Sequence, residues 1–188
     1  MLLIAGAYCV GSAGCATLPS MSGPLKFDPI AEAARQWDEN WGSEATASMS
    51  AVTSIMRAEQ ILMARLNGLL APFDLTFPRY EALMLLFYSR QGFLPLGKIG
   101  ERLQVHRASV TNLVDRLEQQ GLVGRRPHTE DRRTILAEIT PDGKRVAREA
   151  TKILNGSAFG TAPLASAQLE VLVALLRDLR VAEGDFAG

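Results

Sequence analysis

Between Leu96 and Leu117 two short apolar rows are separated by a polar turn. Leu96, Ile99 and Leu103 recur at helical spacing, with Lys98, Glu101 and Arg102 between them, which predicts a helix with one dry face. Val110, Leu113, Val114 and Leu117 form a second, narrower stripe, and Arg107, Ser109, Thr111, Asn112 and Arg116 fall away from it. Gly121 stands just past the last turn, where a left-handed cap residue is wanted, so this helix ends before Leu122-Val123 opens a strand. Ile135, Ala137 and Ile139 then alternate with Thr134, Leu136 and Glu138 at the period of two expected of a strand.

The flanks read as longer helices. Pro29 to about Asn40 carries Ile30, Ala33, Ala34, Trp37 and, just beyond, Trp41, and Gly42-Ser43 breaks it. From about Glu44 to Leu70 the positions Met49, Val52, Ile55, Met56, Leu62, Met63, Leu66 and Leu69 give a broad apolar face that needs a partner. A turn at Phe73 leads into a helix through about Tyr88, its start set by Thr76 and Pro78. Thr140-Pro141-Asp142 opens a further helix with a cap, a first-turn proline and a carboxylate on the helix dipole. Asn155-Gly156 and Gly160-Thr-Ala-Pro163 interrupt it before a last helix, Ala165 to Arg180, with Leu169, Leu172, Val173, Leu176 and Leu179 in register.

Helix, tight turn, helix and a charged hairpin make the outline of a winged helix-turn-helix with a short β wing, within a mainly α chain. Arg125, Arg126, His128, Arg132 and Arg133 crowd around Pro127 and the Thr129-Glu130-Asp131 tip. Arginines so placed suit a phosphate backbone or a narrow minor groove, with Asp131 orienting a neighbour by a charge-assisted hydrogen bond. His106, at the turn, suits a phosphate or base contact rather than a metal. Charge changes the picture by its distribution: the whole chain is neutral, yet Phe93 to Arg148 holds eleven Lys and Arg against seven Asp and Glu, leaving +4 there and −4 elsewhere. A locally basic face on a neutral chain fits one polyanion-binding surface and excludes general nucleic-acid coating. With 188 residues and 47% apolar composition, one domain-sized unit can bury a core. There is no Gly-rich phosphate loop, nucleophile elbow or paired-His metal motif, so the sequence suggests no enzyme, no cofactor and no metal site.

Residues from about Leu75 to Val146 resemble the MarR family of transcriptional regulators. The resemblance is carried by Leu75-Thr-Phe-Pro-Arg-Tyr-Glu-Ala-Leu83, the Leu96 to Leu103 helix and Ser109-Val-Thr-Asn-Leu-Val-Asp-Arg-Leu-Glu118. It continues through Gly121-Leu-Val123, the Asp131-Arg-Arg133 wing and Ile139-Thr-Pro-Asp-Gly143. It implies residues 21–188 as one domain, with 28–71 and 144–181 as dimerisation helices and 75–140 as the DNA-binding lobe. It implies a homodimer on double-stranded DNA, the second helix entering the major groove and Arg133 the adjoining minor groove. With paired apolar terminal helices, the site expected is an inverted repeat with half-sites about one helical turn apart.

In that family small aromatic effectors lodge where the dimerisation helices meet the DNA-reading lobe, which makes Trp37, Trp41, Arg57, Arg65, Phe73, Tyr80 and Tyr88 the candidates here. Read from spacing alone, the same aromatics are core and the arginines surface. The extra N-terminal helix with Trp37 also resembles the urate-responsive branch. This chain departs from it, with Glu81 where that branch has an aspartate and Leu113 where it has an arginine. Residues 1–20 look like a leader with an apolar run, but no Lys or Arg precedes Lys26, and the expectation is an over-long start with Met21 as the true first residue. Both cysteines, Cys9 and Cys15, fall within it. A cytoplasmic, repressing regulator released by a small effector is therefore the expectation, with no membrane partner. The alternative is a winged-helix protein-interaction module, exported and lipid-anchored through Cys15.

Overall fold

The computed structural model describes residues 24–128 and 134–187. Residues 1–20, expected to be an over-long start, and the wing residues Asp131, Arg132 and Arg133 lie outside the described residues. The described residues divide into two compact units, with the boundary between Met56 and Arg57, inside a helix.

In the first unit, α1 (Pro29–Trp41) starts on Asp28, whose carboxylate accepts from the Ile30 amide at 2.9 Å, and ends at Gly42 with φ of +82°. A 3-10 turn, Ser43–Ala45, leads into α2 (Thr46–Leu70), and the Thr46 hydroxyl bonds to the Asp38 carboxylate. α1 has no buried residue. It is held along its own surface by Arg35, which bridges Glu32 at 2.7 Å and also pairs with Glu39.

The second unit contains the rest of α2, then α3 (Phe77–Tyr88), β1 (Phe93–Pro95), α4 (Leu96–Leu103), α5 (Arg107–Gln119), β2 (Val123–Pro127), β3 (Ile135–Ile139), α6 (Pro141–Gly156) and α7 (Ser166–Ala182). The three strands form one antiparallel sheet with β3 in the middle, pairing Leu94 with Ala137 on one side and Arg125 with Ala137 on the other. Its core gathers Leu70, Leu83, Leu86, Ile99, Val110, Val114, Leu117, Val123, Ala137, Ala147 and Leu154, all buried. α3 lies at the centre, packed against α4, α5, β3 and α6.

The strand period of β3 holds, but its burial is two-sided. Ala137 and Ile139 enter the core while Ile135, at the open end, is exposed. Leu136 is buried on the opposite face, in register with Pro95 and Arg126 of the flanking strands. The start of α3 also differs from expectation. Thr76 occupies the cap position and Pro78 the first turn, yet the Thr76 hydroxyl accepts from Arg79 Nε at 3.2 Å. The free Phe77 amide is taken instead by Asn67 Oδ1 of α2, at 2.8 Å. At the start of α6 the expected cap is present: Thr140 Oγ1 accepts from the Gly143 amide at 3.0 Å and donates toward the Gly121 carbonyl at 2.8 Å.

Candidate nucleic-acid interface

One glycine lies at the close approach of the helix-turn-helix, and another ends its second helix. A Cβ on Gly100 would meet Val110 Cγ2 of α5 at 3.0 Å and the Val105 carbonyl of the turn at 3.2 Å, so a larger residue here would press on both the turn and the Val110 side chain. Gly121 takes the left-handed cap the sequence asks for, with φ of +70°. The turn itself is Gln104, also left-handed at φ of 51°, followed by Val105 and His106.

His106 caps α5: its Nδ1 accepts from the Ala108 amide at 3.3 Å. In the neutral ring that places the proton on Nε2, as a donor. Val110, Val114 and Leu117 face the core, while Arg107, Ser109, Thr111, Asn112 and Arg116 are all exposed. The structure therefore brings His106 and these five onto one helix whose opposite side is anchored. Thr111 donates to the Arg107 carbonyl at 3.1 Å, and Arg116 to Gln119 at 3.3 Å, so both side chains have local seats on the helix surface.

The two wing-root arginines are placed differently. Arg125 reaches back to α5, with Nη1 at 2.5 Å from Asp115 and 3.5 Å from Glu118, and Nη2 donating to the Thr111 carbonyl at 3.1 Å. Arg126 points to the other face of the sheet, where its guanidinium lies 4.3 Å from the centre of the Phe93 ring and 2.7 Å from Glu138. The only signal for these bonds along the chain is the presence of two carboxylates, Asp115 and Glu118, on a helix otherwise suited to an anion. On α4, Lys98 bonds Glu101 at 2.8 Å and holds its carboxyl below the usual carboxylate range.

The seven effector candidates are shared between the two units. Trp37 and Trp41 belong to the first unit, and the other five to the second. Tyr80 is core: it is buried, stacks on Phe77 at 6.0 Å between centres, and its hydroxyl pairs with Thr151 of α6 at 2.9 Å. Phe73 packs partly buried against the same core. Tyr88 is 74% exposed, and Arg65 donates to the Gly160 carbonyl at 3.4 Å while Arg57 is exposed. Glu81, one residue from Tyr80, has its carboxyl pushed upward by desolvation. A cavity of about 830 Å³ lies elsewhere, between α4, α5 and the wing strands, and none of the seven lines it.

A family model for MarR matches residues 75–135, the stretch from the start of α3 to the wing. The organic hydroperoxide resistance transcriptional regulator of Bacillus subtilis is 33% identical over 111 residues, covering 59% of this chain and 74% of that protein. The chain belongs to the MarR family. Among solved MarR-family structures, Sco5413 from Streptomyces coelicolor superposes with a TM-score of 0.71 at 48% identity, over 76% of this chain and 99% of that one. BpsR of Bordetella bronchiseptica, described by the regulation of its DNA binding by 6-hydroxynicotinic acid, superposes at 0.61 with 25% identity, over 68% and 90% of the two chains. The mainly helical fold with a three-stranded winged sheet is that of this MarR family.

Proposed function

We propose that this MarR-family chain is a sequence-specific, DNA-binding transcriptional regulator, acting as a homodimer on an inverted repeat and released from it by a small aromatic effector. The observation that carries the DNA reading is α5: a helix anchored by Val110, Val114 and Leu117 and presenting Arg107, Ser109, Thr111, Asn112 and Arg116 outward, directly after a capped tight turn. Those side chains match base edges and phosphates in a major groove, while the wing beyond Pro127 reaches the flanking backbone. Arg132 and Arg133 belong to this proposal on sequence grounds. The regulated DNA binding of BpsR supports an effector of similar chemistry here. Repression rather than activation, and a cytoplasmic site of action, are parts of the same proposal. Among the described residues no helix is long and apolar enough to cross a membrane.

The test is selection of fragments from genomic DNA by the purified protein, followed by sequencing. An enriched inverted repeat with half-sites about one helical turn apart is expected, and Asn112→Ala protein should enrich a different base pattern. Recovery of fragments with no shared sequence would sink the reading.

A further inference from the structure

We propose that Arg125 is a positioning residue for DNA reading: it fixes the root of the wing on the recognition helix α5 and does not itself touch DNA. The inference rests on the DNA-binding reading above. Thr111, Asp115 and Glu118 are spaced four and three residues apart, so they form one stripe along α5, beside the buried stripe of Val110, Val114 and Leu117. Ser109, Asn112 and Arg116 form a separate outward stripe. Arg125 bonds to the first of these polar stripes with all its reach, touching the Thr111 carbonyl and both carboxylates. Its side chain is 25% exposed, and its Nε is buried without a hydrogen-bond partner.

Two physical arguments separate this from a phosphate contact. One guanidinium charge faces two carboxylates, so the cluster is net negative, and a phosphate approaching it meets repulsion. A planar fork that holds three acceptors on two turns of a helix also fixes a direction, which a flexible ammonium would not. Since β2 leads straight from Arg125 to Pro127 and the wing, that direction sets where the wing leaves α5.

The experiment measures operator affinity against salt concentration for wild type, Arg125→Ala, Arg125→Lys and the double variant Asp115→Asn/Glu118→Gln, with thermal melts of each. The operator is the fragment recovered in the selection described above. Both Arg125 variants should lose about tenfold in affinity with the slope of log affinity on log salt unchanged. The double variant should weaken binding too, although removing two negative charges would otherwise strengthen it. A slope reduced by about one unit in Arg125→Ala marks a direct phosphate contact and overturns the proposal. So does full affinity in Arg125→Lys, tighter binding in the double variant, or a lower melting temperature with wild-type affinity in the folded Arg125→Ala protein. Failure of wild type to select any sequence would instead overturn the DNA-binding reading itself.

Discussion

α6 and α7 follow one another in the chain, are 16 and 17 residues long, and put their apolar residues to opposite use. α6 buries Val146, Ala147, Ala150 and Leu154, a stripe at spacings of one, three and four, and Thr151 on the same side receives the Tyr80 hydroxyl. α7 buries nothing, and leaves Val171, Leu172, Val173, Leu175 and Leu179 exposed, Val173 by 65%. A helix of this length gains little from propensity alone and depends on burying a face. α6 meets that need within its own chain. For α7 the proposed homodimer supplies it, as it does for Val52, Ile55, Met56 and Ile61 of α2, which are exposed as well.

The largest expected effect breaks the α7 side of this comparison. Leu172→Asp with Leu179→Asp puts two carboxylates on one stripe, seven residues apart. The variant should run as a monomer by light scattering at micromolar concentration. It should also lose operator affinity by roughly 100-fold or more, because the second half-site then binds without the gain of being tethered to the first. Its melt should retain the winged lobe. A variant that stays dimeric would show that α7 does not form the interface.

The α6 side breaks at one glycine. A Cβ at Gly143 would sit 2.1 Å from the Leu122 carbonyl and 2.9 Å from Ile139, so Gly143→Ala forces the helix away from the β2 entry, where backbone cannot yield. A loss of about 2–4 kcal/mol of stability is expected in denaturant unfolding. At the other end of the same helix Gly156 has open space around its Cβ position, and Gly156→Ala should stabilise by about 0.5 kcal/mol. Equal effects at the two glycines would mean that the close approach at Gly143 is not real.

How much of this was legible in the sequence follows the same division. The helix-turn-helix could be read almost to the residue, since α4 runs Leu96–Leu103 as its apolar spacing and the following turn predict. The α5 stripe, the Gly121 cap and the Thr140 cap were readable too, because each is a local pattern with a local physical cause. What was hidden is long-range and polar. Nothing near Phe77 announces that Asn67 will hold its amide. Nothing near Gln104 announces the Asp185 carboxylate, which Arg180 also holds at 2.5 Å. The wing-root arginines looked alike in sequence, yet Arg125 turns to α5 and Arg126 to Phe93 because neighbouring strand positions face opposite sides. Spacing alone does not separate an aromatic that contacts an effector from one in the core, and Tyr80 is buried and hydrogen-bonded.

A smaller effect is expected at the end of α5. Gln120 Nε2 donates to both the Asp74 carbonyl and its carboxylate at 2.7 Å, tying the recognition helix to the left-handed turn that follows α2. Gln120→Ala removes both bonds and should cost about 1 kcal/mol, the usual net value for partly exposed hydrogen bonds. Hydrogen exchange should localise the change to the last turn of α5 and to residues 71–76. Unchanged exchange there would show that the apolar packing of Leu117 and Leu122 alone holds this end.

The smallest effect concerns α1, which like α7 buries no face but is bound along its surface by charge. The Arg35 guanidinium, with help from Gln36, holds the Glu32 carboxyl down to about 2 from an ordinary value of 4.5. A carboxyl whose folded value is depressed contributes its stabilisation in full above the unfolded value and loses it as pH falls through the folded one. The Glu32 contribution is therefore complete above pH 4.5 and fades between there and about 2, the window set by the two values. Because the pair is exposed, its weight is small and salt should reduce it further. Carboxyl titration followed by NMR should give Glu32 a midpoint well below that of an unpaired glutamate, with the protection factors of the α1 amides falling over the same range. Arg35→Ala should return the midpoint toward 4.5. A Glu32 midpoint unmoved by Arg35→Ala would mean that the pair does not form in solution and that α1 is held by other contacts.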